Sequence, residues 1–302
     1  MAKGYNVSGL TSFVKENEDV LIRDVVLGGE GGFTVPMLRH QLGIKTSERV
    51  HPMTVSAALQ SATTCGFSAS GSTVISERTI TTAQAKSNDE WCEEDLLGKF
   101  AEYKVRIGAK EDAMPFEAEI MSEYVKSINK EVEKQVWVGD TNNGDLIDGF
   151  VTIAEGADSA STITGQTSVG ASAYAAIKLA LSLIPEEIQD EAIIFVSPAI
   201  FREYQQDLVA ANLYHYPSDS DNENMYIPAS NVKVHKTYGL KGSSKIYASS
   251  LENMIYGADL LDGKEEVKVW FSDDNDVYRS KVRFNFGVQT LFPDAVVVVE
   301  KK

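Results

Sequence analysis

The chain has 302 residues, and 28 Lys and Arg against 44 Asp and Glu give it a net charge of −16. This sign excludes a protein that wraps nucleic acid with its general surface, because phosphate binding needs clustered Lys and Arg. The longest apolar runs, at 192–196 and 295–299, are far shorter than the about 20 residues of a membrane-spanning helix. Cys65 and Cys92 are too few for a disulfide scaffold. The first residues, MAKGYNVSGLTSF, have no apolar core of signal-peptide length, so secretion by that route is not predicted.

The N-terminal 45 residues mix an interrupted amphipathic helix with the glycine-rich run GGEGG at 28–32. We interpret this run as a hinge or loop. A phosphate-binding loop is the disfavoured alternative, since no Lys-Ser or Lys-Thr follows the glycines.

A long two-stranded hairpin is predicted next. Residues 72–85, STVISERTITTAQA, are rich in β-branched residues, and 53–65 offers a partner strand. Gly66 and Gly71 lie between them, where a hairpin tip needs them. Few large apolar residues occur here, so we expect the hairpin to extend from the body without a core of its own.

The clearest helix is predicted from Pro115 to Val138, with proline in its first turn and Gly139 at its end. Apolar residues recur at four-residue steps, which is the period of one helix face: Phe116, Ile120, Tyr124, Ile128, Val132 and Val136.

The remaining chain predicts a compact α/β block followed by strands. A helix around residues 174–184, a buried strand at 192–196 and a helix opened by Pro198 come first. The polar run 214–226 is expected to be an exposed loop. Short strands are then predicted at 232–238, 245–249, 253–258 and 267–272, with a longer one around 282–288 and a last one at 295–301.

No arrangement of residues predicts catalysis, a cofactor or a metal. His40, His51, His215 and His235 stand alone, without metal spacing or a nucleophile motif, and a lone histidine is usually a packing or surface residue. The acidic runs 218–224 and 272–276 lack the glycine and the closing glutamate of a calcium loop, so solvated loops are expected. Cys65 and Cys92 are expected to be inert thiols.

The order of these parts resembles the major capsid proteins of tailed phages, which share the Hong Kong 97 (Johnson) fold. Three passages carry the resemblance: EKQVWVGD with GDLIDGFV (133–151) resembles the end of that family's spine helix, DEAIIFVSPAIFREYQQDL (190–208) its axial strand and helix, and VRFNFGVQTLFPDAVVVV (282–299) its closing strands. The stretch ITTAQAKSNDEWCEEDL (80–96) is similar to the corresponding part of crAss-like gut phages.

The resemblance implies an α+β fold with four parts. Residues 1–45 would be an N-terminal arm and 46–90 an extended hairpin called the E-loop. Residues 91–165 and 230–302 would form a peripheral domain around the spine helix 115–138, and 166–229 an axial α/β domain. The residues assigned to contacts between subunits are Phe67, Arg78, Tyr214, His215 and Tyr216.

Assembly, without chemistry, is the function that the resemblance implies. Copies would form pentamers and hexamers that close into an icosahedral virion shell around double-stranded DNA, built in the host cytoplasm. A portal and a scaffolding protein are implied as partners, and decoration proteins are a further option. The scaffold is expected to be a separate protein, because no long charged helix precedes residue 10. No membrane partner and no cofactor are implied.

One departure from the family concerns covalent cross-linking. Some members join subunits by an isopeptide bond from an E-loop lysine, but here Lys is absent from Thr46 through Ala85. A non-covalent shell is therefore predicted. With a charge of −16 we also expect a lining that does not adhere to DNA, with basic residues at subunit contacts such as Arg78.

Two other functions remain open. An encapsulin, a bacterial enzyme compartment with the same fold, would assemble alone and hold a cargo enzyme. A soluble enzyme, for example a carboxylate hydrolase, is disfavoured because no nucleophile, base and orienting group occur together.

Overall fold

The computed structural model describes residues 8–28, 34–61, 70–92, 95, 98–99, 116–213, 224–259, 266–272, 274–275 and 277–302. The helices are α1 (Ser8–Glu16), α2 (Glu18–Val26), α3 (Phe116–Val138), α4 (Phe150–Glu155), α5 (Ala173–Leu183) and α6 (Pro198–Ala210). The strands up to residue 166 are β1 (Arg39–Leu42), β2 (Ser47–Val50), β3 (Met53–Ser56), β4 (Ser72–Ile75), β5 (Arg78–Thr81), β6 (Ala83–Cys92) and β7 (Ile163–Gln166). Those that follow are β8 (Ala192–Val196), β9 (Asn224–Tyr226), β10 (Lys233–Lys236), β11 (Lys245–Ser250), β12 (Met254–Ala258), β13 (Glu266–Ser272), β14 (Val277–Thr290) and β15 (Val297–Glu300).

Helix α3 lies across the main core and confirms the predicted long helix. It begins at Phe116, one residue after the proline expected to open it, and ends before Gly139. A Cβ atom on Gly139 would lie 2.5 Å from the carbonyl oxygen of Ile147, so glycine lets the returning chain approach closely. The face that α3 buries includes Met121, Val125, Ile128, Val132, Val136 and Trp137.

The first sheet has the strand order β1-β12-β14-β13, and β6 pairs with β14 on its other side. Strand β6 follows β14 from Ala83 opposite Phe286 to Cys92 opposite Val277. Residues 83–90, which were assigned to the extended hairpin, are therefore paired within this sheet. Burial of side chains such as Ala85 against the core stabilises this pairing. The domain limits themselves stay a prediction.

The two N-terminal helices pack against the inner face of this sheet. Leu10, Val14 and Val25 are buried in one cluster with Val267 and Val269 of β13. The predicted interruption falls at Asn17, whose side-chain amide donates to the carbonyl of Phe13 at 2.9 Å.

The second sheet has the order β7-β15-β11-β8-β10-β9. One face packs against α5 and α6, as the predicted α/β block requires. The other face contributes Phe195, Tyr247 and Val298 to the core around Trp137. Strands β10, β11 and β15 belong to residues 230–302, which were assigned to the peripheral domain, whereas β8 and β9 belong to the axial segment 166–229. This sheet therefore contains strands from both predicted domains. Among the described residues, no helix is long and apolar enough to cross a membrane.

Candidate subunit interface

A narrow hairpin lies in the chain between β1 and β6 of the first sheet. Strand β2 pairs with β5 from Ser47 opposite Thr81 to Val50 opposite Arg78, and β3 pairs with β4 from Met53 opposite Ile75 to Ser56 opposite Ser72. Two antiparallel ladders in sequence thus form the predicted two-stranded element. A two-stranded hairpin alone is only marginally stable in water, so it needs a surface to pack on.

The outer ladder of the hairpin exposes an apolar face. Met53, Val55 and Ile75 share one side, because directly opposite and alternate residues point the same way. Their exposed fractions are 57%, 58% and 66%, and Leu59 further along is fully exposed. Several large apolar side chains together on a protruding element are typical of a surface that binds another protein.

The base of the hairpin is fixed to the body through Arg78. Its guanidinium forms a two-pronged ion pair with Asp158, in which Nη1 donates to Oδ1 at 2.7 Å and Nη2 donates to Oδ2. Its Nε donates to the carbonyl of Thr290 at 3.1 Å, and Gln289 Nε2 donates to the carbonyl of Thr79 at 2.9 Å. Only 18% of the Arg78 side chain and 6% of Asp158 is exposed. The hairpin therefore leaves the body in a defined direction.

A buried carboxylate fixes the N-terminal segment to α3. Glu133 is fully buried and accepts from the backbone N–H of Thr34 at 3.0 Å and of Val35 at 3.3 Å. It also accepts from the hydroxyls of Thr34 and Thr237, the latter at 2.7 Å, and from Trp137 Nε1 at 3.2 Å. A buried carboxylate is tolerated only when such donors satisfy it. We call these residues the Glu133 node.

Of the five predicted contact residues, the structure describes Arg78. The others, Phe67, Tyr214, His215 and Tyr216, lie outside the described residues, as does Cys65. Arg78 bonds within its own chain, so a role between subunits stays a prediction.

The residues that sequence reasoning missed are the apolar hairpin face and the Glu133 node. A signal for the node was present: Met121, Val125, Asn129, Glu133 and Trp137 form a second row of four-residue steps on α3, and a charged residue on such a row needs buried partners.

In the described part of the chain, no three His, Cys, Asp or Glu residues are grouped to hold a metal. His235 is buried edge-on against Phe195, with ring centroids 5.8 Å apart. His40 packs edge-on against Tyr256, and burial lowers its pKa. Cys92 is exposed and forms no disulfide.

No family model matches the chain, and no curated protein matches its sequence. Solved structures do match. The satellite phage P4 procapsid structure, which includes a size determination protein, has a TM-score of 0.60 at 11% identity and covers 100% of this chain and 93% of that chain. The capsid of an empty GTA particle has a TM-score of 0.60 at 13% identity, with 89% of each chain covered.

The chain has the fold of phage capsid proteins. This confirms the α+β capsid fold that the resemblance implied, while a crAss-like origin stays a prediction. A virus-like particle from Pyrococcus furiosus is also similar, with a TM-score of 0.53 at 11% identity and coverage of 97% and 98%. Identities this low establish a shared fold and leave the function to be argued from the chain itself.

Proposed function

We propose that the chain is a major capsid protein that assembles through its hairpin into pentamers and hexamers of an icosahedral shell around double-stranded DNA. The observation that carries the proposal is the exposed apolar face of Met53, Val55 and Ile75 on an element anchored rigidly at its base. Full burial of such side chains stabilises by about 1.5–3 kcal/mol each. The described residues of the chain leave them exposed, so a neighbouring molecule is the partner we assign to them. Copies related by rotation give every hairpin such a neighbour.

The proposed partners follow from this role. The shell is non-covalent, is a component of the virion, and is assembled in the host cytoplasm with a portal and a separate scaffolding protein. Decoration proteins are optional in this scheme and add a further layer to the finished shell. No catalytic step is assigned to the chain.

An encapsulin is the second candidate, and the similarity to the Pyrococcus furiosus particle favours keeping it. Electron microscopy of purified particles, with analysis of their contents, separates the two functions. Enclosed DNA and a requirement for scaffold support the capsid, whereas assembly of the chain alone around an enzyme supports the encapsulin. A small monodisperse monomer under all conditions would refute both.

The hairpin face is tested by the double variant Met53→Ser/Ile75→Ser. We expect an unchanged melting temperature of the unassembled chain, because both side chains are exposed in it. The free energy of association should fall by about 2–4 kcal/mol at each intersubunit contact. Val209→Ser is the matched control, since Val209 on α6 is similarly exposed at 60%. Normal particle formation by the double variant would contradict the assignment.

A further inference from the structure

The outer face of the first sheet, opposite the helices, concentrates positive charge. On strands β6, β14 and β13, side chains alternate between the buried core and this outer face. The charged residues of the outer face, which we call the basic face, are Lys86, Glu90, Arg279, Lys281, Arg283, Glu266 and Lys268. Five cations against two carboxylates make this face net positive, although the whole chain carries −16.

The strand register sets these charges in rows. Lys86 lies opposite Arg283, which lies opposite Glu266. In the next row Lys281 lies opposite Lys268. Like charges directly opposite each other destabilise a sheet, so each pair of cations needs an anion.

One of the two cation pairs has its anion. Glu266 reaches along the strands and binds both Lys268 and Lys281, with its Oε2 2.8 Å from Lys281 Nζ. These two bonds lower the pKa of Glu266 to about 2. The sheet thus shows how a single carboxylate bridges two cations on this face.

The other cation pair lacks such a bridge. Within the described part of the chain, no carboxylate lies within 4.0 Å of Lys86 or Arg283, and Glu266 is committed to the two lysines. Lys86 is exposed and Arg283 is half-buried on the central strand. Although Glu266 lies opposite Arg283, its carboxylate is used by the two lysines, so the Lys86–Arg283 pair can accept one further anionic group.

We infer that a carboxylate of a second copy of this chain occupies the Lys86–Arg283 site in the assembled shell. The inference rests on the proposed function and names a contact surface for it. With +3 on the basic face, the rest of the chain carries −19, so two copies repel unless this face meets the acidic surface of a neighbour.

Nucleic acid fits the site less well. A phosphate backbone is bound by clustered cations, but Glu90 pairs with Arg279, and Glu266 pairs with Lys268 and Lys281. Among the described residues of this face, only Lys86 and Arg283 have no carboxylate in an ion pair. A single carboxylate between two cations is the arrangement that Glu266 already displays next to the site.

The experiment compares Lys86→Glu with Lys178→Glu, an identical charge change at an exposed position on α5. Lys86→Glu places a carboxylate opposite Arg283, so we expect the unassembled chain to melt at or above the wild-type temperature. We expect its threshold concentration for particle formation, measured by light scattering and sedimentation, to rise roughly tenfold or more. Lys178→Glu should assemble like the wild type.

The outcomes separate the possible explanations. Failure of the wild-type chain to assemble under any condition refutes the proposed function. If the wild type assembles and Lys86→Glu assembles equally well, the inferred contact at the Lys86–Arg283 site is refuted and the proposed function is not. An equal assembly defect in both variants also refutes the contact, because it would indicate general charge repulsion. If Lys86→Glu assembles normally but loses binding of a double-stranded DNA oligonucleotide, or of a purified decoration protein, that molecule is the occupant and the inference is wrong.

Discussion

Replacing Glu133 by Gln tests whether the Glu133 node holds the N-terminal segment on α3. The carboxylate faces donors on both oxygens: Oε2 accepts from the backbone N–H of Thr34 at 3.1 Å and of Val35 at 3.3 Å, and Oε1 accepts from Thr34 and from Trp137 Nε1 at 3.2 Å. A glutamine amide must place its NH₂ against one of these sets. Hydroxyl groups can rotate to accept from it, but the backbone and indole N–H groups cannot.

The magnitude follows from the donors left without an acceptor. Each buried N–H that loses its partner costs about 1–3 kcal/mol, and loss of the charge weakens the bonds that remain. Trp137 Nε1 also donates to the Thr34 hydroxyl at 2.7 Å, and the Thr34 N–H reaches both Glu133 oxygens, so the amide leaves at most about one backbone N–H without an acceptor. We therefore expect Glu133→Gln to lower the free energy of unfolding by about 1–3 kcal/mol. Thr237→Val, which removes one hydroxyl from the same node, should cost about 1 kcal/mol.

The assay is urea denaturation of the unassembled chain, followed by tryptophan fluorescence because Trp137 lies in the node. Glu131→Gln is the control, since Glu131 lies on the exposed side of the same helix and should change stability by less than about 0.5 kcal/mol. A cost for Glu133→Gln that does not exceed that of the control would refute the reasoning.

Two further predictions concern ion pairs. Arg78→Gln leaves the buried Asp158 without its partner, so it should lower the free energy of unfolding by about 2–4 kcal/mol and expose the hairpin base to protease; wild-type proteolysis would contradict this. The lowered pKa of Glu266 means that its bridge stabilises the fold above about pH 4.5, its unfolded value, and that this contribution is lost as the pH falls through about 2. Glu266→Gln should therefore lower stability by about 1 kcal/mol at pH 7 and by almost nothing near pH 2 in thermal melts, and a gap that is constant with pH would count against the bridge.

The sequence predicted elements wherever a single periodicity dominated. Helix α3 was placed to within one residue, since its apolar residues recur at a constant helical spacing. The strand β8 was placed at residues 192–196, because a continuous apolar run of that length fits a strand buried on both faces.

Elements without a local pattern of their own were not predicted. Strand β1, with the sequence RHQL, shows no alternation and is a strand because it pairs with β12. Strand β6 has an acidic, polar sequence at 87–90, and only its register with β14 shows that its even-numbered residues point outward. The basic face is invisible in the sequence for the same reason, since Lys86 and Arg283 are almost 200 residues apart.

The candidate interface was predicted in outline and missed in detail. The lack of a core in the hairpin region led to the prediction of a two-stranded element, which the β2–β5 and β3–β4 ladders form, while its extension from the body stays a prediction. The choice of Arg78 as a contact residue followed from its charge, but its burial against Asp158 depends on a residue 80 positions away. Local sequence shows that a cation is present and does not show which carboxylate will bind it.

The Glu133 node also has a consequence for how the chain is made. The partners that meet there are 99 and 104 positions apart from Glu133, on opposite sides of it along the chain. During synthesis, Thr34 and Val35 emerge long before Glu133, and Thr237 emerges long after it, so the node cannot close until about four-fifths of the chain has left the ribosome. A chain that stops before residue 237 would leave the buried carboxylate short of a donor. Completion of the node therefore distinguishes finished subunits from prematurely terminated ones before either meets a neighbour.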